Sequence, residues 1–119
     1  MWIYHQINGD IFNDLHWIAR GYSGFGDGKN NPEKQAIHDV GPIPRGNYSI
    51  GSPHDTAAHG PHVMRLTAHA GTHLFGRAGF LIHGDSIAHP GTASHGCIIL
   101  ARLVRDRISS SGDGELQVI

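Results

Sequence analysis

Hydrophobic residues occur along the chain in short runs separated by turn-forming residues, a pattern that favours β-strands over long helices. Residues 2–7 and 11–19 flank the turn formers Asn8-Gly9-Asp10, which predicts an opening β-hairpin. Further short strands are predicted at residues 47–50, 63–68, 80–83 and 115–119. The segments between them are rich in Gly, Pro and His, so we expect ordered loops there.

A helical pattern appears only after Cys97. Four apolar residues recur at steps of three and four, and charged residues fill the other faces: Leu100, Leu103, Val104 and Ile108, with Arg102, Arg105, Asp106 and Arg107. We expect one short helix that begins just beyond Cys97 and ends at the serines before Gly112, which suits a left-handed cap. The predicted fold class is therefore mainly β with one short helix.

The composition narrows the functional classes. The chain has 119 residues, which suits a single domain spanning residues 1–119. The formal net charge is -1, so no basic surface for nucleic acid is expected. Apolar runs are far shorter than the roughly 20 residues of a membrane helix, and the amino terminus lacks the features of a signal peptide. We expect no membrane span, no ordinary secretion leader and, by default, a monomer.

Two sequence patterns resemble ligand-binding motifs, but their spacing or predicted secondary structure does not fit those motifs. The glycine-rich stretch at residues 24–28 is one residue short of the dinucleotide motif G-x-G-x-x-G. The pairs His59/His62 and His69/His73 have spacings that zinc sites use, but they lie in predicted strand and loop rather than on a helix. We expect a glycine-rich turn and loop histidines, with no metal and no cofactor. A metal site built from ligands distant in sequence stays open as an alternative.

The most informative stretch places two histidines and the only cysteine near one another. His83-Gly84-Asp85 ends a predicted strand, and Ser94-His95-Gly96-Cys97 follows before the predicted helix. Cys97 is a small buried hydrophobe, a lone ligand or a reactive thiol, since no internal disulfide can form. A thiol needs a neighbouring base to act as a nucleophile at neutral pH, and a strand-end histidine supplies one. No histidine follows Cys97, so the papain-like order is excluded.

The expected surroundings of Cys97 favour the reactive thiol. The positive end of the predicted helix would lie just beyond it, and Gly96 lets the chain approach a substrate closely. The backbone N–H groups of Gly96 and Cys97 are candidates to face a developing oxyanion.

The residues around Cys97 resemble a known signature. His83-Gly84-Asp85 and the element Ser94-His95-Gly96-Cys97-Ile98, whose Cys97 lies fourteen positions after His83, resemble the L,D-transpeptidases, the YkuD-type cysteine enzymes of bacterial cell walls. The segments at residues 21–24, 30–32 and 41–48 are similar to a narrower branch, the Tlde1 domain of type VI secretion effectors. The resemblance covers nearly the whole chain. It implies a YkuD-like β-sandwich or barrel with one short helix after the catalytic cysteine.

The resemblance also implies roles for individual residues. Cys97 is expected to be the nucleophile and His83 its general base, with the backbone carbonyl of Gly84 as the orienting third member. Asp85 is a rival orienter or a substrate contact. Three more residues are expected beside the substrate or bracing the nucleophile's loop: His95, Gly96 and Ser94.

One position departs from the family pattern. Many YkuD-type enzymes have Arg directly after Gly-Cys-Ile, where this chain has Ile99. Arg102 or Arg105 is a candidate to reach the same space from the helix.

The activity that the resemblance implies is acyl transfer on peptidoglycan stem peptides through a Cys97 thioester. Trimming or exchange of the terminal D-alanine of a tetrapeptide is favoured for so small a chain. With no leader, the enzyme is expected to be made in the cytoplasm, exported by specialised secretion machinery and active in the periplasm of target bacteria. A periplasmic immunity protein in the producer is the expected partner.

Three alternatives stay open. The chain is an ordinary wall-remodelling L,D-transpeptidase whose leader has been removed, a non-catalytic wall-binding module, or a metal-dependent hydrolase built on the histidines. Thiol alkylation and metal chelation separate the last of these from a cysteine enzyme.

Overall fold

The computed structural model describes all 119 residues, as ten short strands, one helix and two 3₁₀ turns. The strands are β1 (Trp2–Tyr4), β2 (Asp10–Asn13), β3 (His16–Arg20), β4 (Tyr22–Ser23), β5 (Gly46–Ile50), β6 (His54–Thr56), β7 (Gly60–Ala68), β8 (Leu81–His83), β9 (Ile98–Ile99) and β10 (Glu115–Val118). Helix α1 is Arg102–Ser110, and the 3₁₀ turns are Gly26–Gly28 and Pro32–Lys34. The predicted mainly β fold with one short helix is confirmed.

The strands form one open, mixed sheet in the order β3-β2-β1-β10-β5-β7-β8-β9-β4, with β6 paired to β7. Two neighbouring pairs are parallel, β1 with β10 and β8 with β9. The β1–β10 pair sets Trp2 opposite Leu116, so strands from the two ends of the chain lie at the centre of the sheet. The β8–β9 pair lies towards one edge and carries the candidate site.

The two edge strands of this sheet are consecutive in the chain. β3 and β4 lie at opposite ends of the strand order, yet only Gly21 separates them, so the sheet has to curl until its ends meet. The joint is tight, because a Cβ on Gly21 would lie 1.9 Å from the Ile99 carbonyl oxygen. The hydrogen-bonded ladder of this curled sheet stays open, and the expected YkuD-like sandwich or barrel stays a prediction.

The inner face of the sheet holds the hydrophobic core. Its largest fully buried side chains come from strands and from two connecting segments: Trp2, Tyr4, Ile11, Ile43, Tyr48, Met64, Ile82, Ile98, Leu100 and Leu116. Ile43 belongs to the Pro-Ile-Pro turn, which thus contributes to the core instead of lying on the surface. Val104 and Ile108 of α1 pack against the same cluster.

Several predicted elements differ from the observed ones. The segment at residues 11–19 is two strands, since Asp14 at φ 51 begins a turn between β2 and β3. Strands β4, β6 and β9 were not predicted. Each has two or three residues, and β6 reads His-Asp-Thr, which carries no apolar alternation.

The helix begins later than the sequence indicates. Strand β9 lies between Cys97 and α1, so the helix starts five residues beyond Cys97 and not directly after it. Leu103, expected on the apolar face, is 80% exposed, whereas Arg105 is only 5% exposed. Gly112 has φ 74 and provides the predicted left-handed cap. At nine residues, α1 is too short to cross a bilayer, and no other α-helix is present.

Candidate active site

Strands β8 and β9 bring the segments that carry the two main candidate residues side by side. Their parallel register pairs Ile82 with Ile98 and His83 with Ile99. Ile82 and Ile98 are in the core, so His83 and Ile99 point to the opposite face. Cys97 lies in the bend that directly precedes β9, so it leads into the strand next to the one that ends in His83.

The Cys97 thiol is partly buried against the chain that leads into β8. Its Sγ lies 3.9 Å from the Gly79 carbonyl oxygen, to which it donates. Burial raises the pKa of the Cys97 thiol, while the Leu81 backbone and the charge of Arg77 act in the opposite direction. The thiol is therefore protonated at neutral pH, and a base has to remove its proton before the sulfur can attack.

The backbone around Cys97 corrects two predictions. Gly96 is buried and its N–H donates to Ser94 Oγ at 3.1 Å, so this N–H is not free for an oxyanion. Ser94 is fully buried, and its Oγ donates to the Cys97 carbonyl at 2.6 Å and accepts from the Gly24 N–H at 2.9 Å. Ser94 thus braces the nucleophile's loop and does not contact substrate. The N–H of Cys97 itself has no acceptor in the protein and is available to a ligand.

Ser94→Ala is expected to destabilise the fold by about 3 kcal/mol, because two buried N–H groups and one carbonyl lose a partner. Urea unfolding of the variant and wild type measures the difference. Ser110→Ala, which removes an exposed hydroxyl from α1, is the matched control and should change stability by less than about 0.5 kcal/mol. Equal effects of the two substitutions would contradict the bracing role.

His83 is held as a neutral base. Its Nδ1 lies 2.8 Å from the Gly84 carbonyl oxygen. Because a carbonyl only accepts, Nδ1 carries the hydrogen and Nε2 keeps its lone pair. Burial lowers the pKa of His83, and the charges of His59 and Arg105 act in the same direction. The Gly84 carbonyl therefore occupies the place expected of the orienting group.

Asp85 does not contact the imidazole. Its carboxylate accepts from the Tyr22 hydroxyl at 2.5 Å and from the N–H groups of Ser86 and Gly91. Although partial burial opposes it, these hydrogen bonds hold the pKa of Asp85 below its usual value. The carboxylate thus closes the loop that follows β8, and the prediction that Asp85 orients His83 is wrong.

His95 is exposed and joins two loops. Its Nδ1 lies 3.1 Å from the Asp39 carbonyl oxygen, and its ring stacks on Phe25 with centroids 5.1 Å apart. Nε2 is left free for a ligand. His95 therefore ties the turn that carries Cys97 to the loop at residues 24–40.

A cleft of about 1020 Å³ lies beside this face of the sheet. Its walls include four of the expected site residues, His83, Gly84, Asp85 and His95. They also include Tyr22, His59, Ile99, Arg102 and Arg105. The ring of His59 packs on that of His83, with centroids 4.4 Å apart. Cys97 does not line the cleft in this arrangement, because its thiol is turned towards Gly79.

The other paired histidines have separate contacts. His62 Nε2 lies 2.7 Å from Ser109 Oγ, and His69 Nε2 lies 3.1 Å from a Glu115 oxygen. His73 stacks on Phe75. Nowhere do three His, Cys, Asp or Glu side chains converge as metal ligands do.

Two buried arginines support the site, and only the first of them, Arg105, was a candidate from the sequence. Arg105 donates to the carbonyls of Leu100, His62 and Pro61, and it lies against Gly84, where a Cβ would be 2.9 Å from its Nη1. Arg105 thus supports the backbone behind His83, while Arg102 stays on the surface, paired with Asp106. The helical pattern assigned both to polar faces, and no sequence signal separates them.

Arg77 is the second of these arginines. It is 5% exposed and donates to the carbonyls of Gln35, Gly41 and Pro42 and to that of His95, two residues before Cys97. It lies in a Gly-rich connector with no periodicity, so its burial could not be read from the sequence.

Comparison with known families gives one match. A family model described as the Tlde1 domain matches residues 18–111, which is most of the chain and includes the stretch from His83 to Cys97. No curated protein matches the chain.

Proposed function

The chain belongs to the Tlde1 domain family, and from this premise we propose that it is a type VI secretion effector that acts on peptidoglycan as a cysteine L,D-transpeptidase or L,D-carboxypeptidase. The observation that supports the chemical part is the β8–β9 register, which pairs Ile98, the residue after Cys97, with Ile82, the residue before His83. The lone pair on Nε2 of His83 supports the role of base.

Attack begins with a proton transfer. Rotation about the Cα–Cβ bond of Cys97 turns the thiol from Gly79 towards His83, and Nε2 takes its proton. Side chains of a free site commonly reach such contacts only with substrate bound. The thiolate sulfur then adds to the carbonyl carbon of the third residue of a tetrapeptide stem. The free N–H of Cys97 donates to the oxyanion that forms.

Collapse of the tetrahedral intermediate breaks the amide bond to the terminal D-alanine. His83 returns its proton to the leaving nitrogen, and a thioester to Cys97 remains. Water then gives a shortened stem, a free D-amino acid gives exchange, and an amine from a neighbouring stem gives a cross-link. Each outcome regenerates the thiol, and trimming and exchange are favoured in our proposal.

The cellular role follows from the family. An effector is delivered by a secretion system, and peptidoglycan lies outside the cytoplasmic membrane, so we place the activity in the periplasm of target bacteria. A producer of such an effector needs a periplasmic immunity protein that blocks the cleft.

Purified protein incubated with tetrapeptide muropeptides is expected to release D-alanine, detected by mass analysis as a stem shortened by one residue. Iodoacetamide should abolish the release and EDTA should leave it unchanged, since the chemistry depends on a thiol. Release that resists iodoacetamide and stops with EDTA would instead identify a metal-dependent hydrolase. No release from either trimming or exchange substrates would contradict the proposed activity.

A further inference from the structure

A buried guanidinium lies directly behind the turn that carries Cys97. Arg77 Nη1 donates to the carbonyls of Gln35 and Pro42 at 2.6 and 2.7 Å, and Nη2 donates to that of Gly41 at 2.9 Å. Nη2 also lies 3.4 Å from the His95 carbonyl oxygen. One side chain therefore joins the loop at residues 35–42 to the residues that precede the nucleophile.

The contact with the nucleophile's turn is close. A Cβ placed on Gly96 would lie 2.6 Å from Arg77 Nη2 and 3.1 Å from the Phe80 ring, so only glycine fits there. Gly96 also has φ 136, a conformation that side chains rarely adopt. The guanidinium stacks over Phe80, with its central carbon 5.3 Å from the ring centroid. The backbone at Gly96 is thus packed onto the charged group itself.

This charge has no carboxylate partner. All four hydrogen bonds of Arg77 go to neutral carbonyl oxygens, and no ion pair includes it. The titratable groups that influence it are Tyr48, whose hydroxyl stays neutral, the exposed Asp39, and Cys97. A buried cation without a counter-ion is costly, so an anion that forms beside it is stabilised. The Cys97 thiolate is such an anion.

We propose that Arg77 is a positioning residue whose buried charge serves as counter-ion to the Cys97 thiolate and whose carbonyl contacts hold the Cys97 turn. The use of that thiolate in acyl transfer rests on the proposed function. The thiolate itself does not, because its formation can be measured without any peptidoglycan substrate. Besides the charge of Arg77, the influences on the pKa of the thiol are its own burial and the Leu81 backbone. His83 is the proton acceptor in the proposed reaction.

The test is the rate at which iodoacetamide alkylates Cys97 in the folded protein, followed by intact mass from pH 6 to 10. Arg77→Gln is expected to alkylate about tenfold more slowly at pH 7, because each unit by which the thiol pKa rises lowers the thiolate fraction tenfold. The whole profile should move to higher pH with an unchanged plateau. A folded Arg77→Gln variant with the wild-type profile would overturn the proposal.

Arg105→Gln is the matched control, since Arg105 is equally buried and also bound only by carbonyls, but it lies behind Gly84. Both variants should lose thermal stability, whereas only Arg77→Gln should lower the alkylation rate. An equal drop in Arg105→Gln would show that general loosening, and not the local charge, is responsible, and would overturn the proposal.

If Arg77→Gln does not fold, Arg77→Lys tests the counter-ion role of Arg77 instead. It keeps the charge and loses the forked contacts, so its melting temperature should fall while the alkylation rate at pH 7 stays within about threefold of wild type. A tenfold loss in folded Arg77→Lys would contradict the counter-ion role. Normal alkylation kinetics together with absent muropeptide turnover would count against the proposed function alone.

Discussion

Cys97→Ala is expected to reduce D-alanine release from tetrapeptide stems on the order of 10⁴-fold or more, because the covalent route disappears with the only sulfur nucleophile. The thioester intermediate, visible as a mass increase on the intact protein, should vanish at the same time. Thiol loss leaves the Ser94 contacts to the Cys97 backbone in place. The drop in rate should therefore come without loss of the fold.

Cys97→Ser provides the matched comparison. The hydroxyl keeps the size of the side chain but holds its proton far more tightly, so turnover should fall nearly as far as in Cys97→Ala. Both variants should unfold within about 1 kcal/mol of wild type, since a partly exposed thiol contributes little packing. Wild-type release by folded Cys97→Ala would remove the cysteine mechanism altogether.

His83→Gln is expected to lower kcat/KM for D-alanine release by about 10²- to 10⁴-fold, which is the rate enhancement that a general base usually provides. The resting thiol of Cys97 is protonated because burial raises its pKa, so it cannot supply the nucleophile unaided. Raising the pH should therefore restore part of the activity of His83→Gln, as hydroxide produces the thiolate directly. Asp85→Asn is the control, because that carboxylate contacts Tyr22 and the loop backbone but not the imidazole.

The activity and the stability of the wild-type protein are both expected to fall at acidic pH. Burial lowers the pKa of folded His83 below its usual value of about 6.5, so the imidazole remains an unprotonated base at mildly acidic pH. Between the two values the unfolded chain binds more protons than the folded one. The neutral state of His83 therefore makes its full contribution to the free energy of unfolding above about pH 6.5. This contribution is lost as the pH falls through the pKa of His83 in the folded protein. Activity and melting temperature measured from pH 4 to 8 should decline together on the acid side, and an acid limb centred above 6.5 would contradict this.

Much of the fold could be predicted because the longer strands carry their own signal. The alternating apolar residues of β5, β7 and β10 indicate their positions to within a few residues, and Gly112 indicates where α1 stops. The parallel pairing of β8 with β9 could not be derived from pattern. Strand β9 has only two residues, Ile98 and Ile99, and its partner is set by tertiary packing.

The candidate site, like the fold, could be predicted only in part from the sequence. His83, Gly84 and Cys97 stand in elements with a recognisable order, so their association could be expected from the sequence. The bracing role of Ser94 was one of two expected from the resemblance, whereas Arg77 could not be assigned in advance, because its role depends on burial and on backbone carbonyls brought from a distant loop. A side chain that hydrogen-bonds to main-chain atoms can be bonded to any residue type, so such contacts produce no periodic pattern in the sequence.

The half-covered, protonated state of Cys97 has a chemical consequence for the whole molecule. Oxidation and thiol–disulfide exchange both proceed through the thiolate, so a sulfhydryl that keeps its proton reacts slowly with peroxide and with disulfides. The chain also holds no second sulfhydryl with which to close a bridge. A thiol kept in this form survives oxidising surroundings until a base removes its proton.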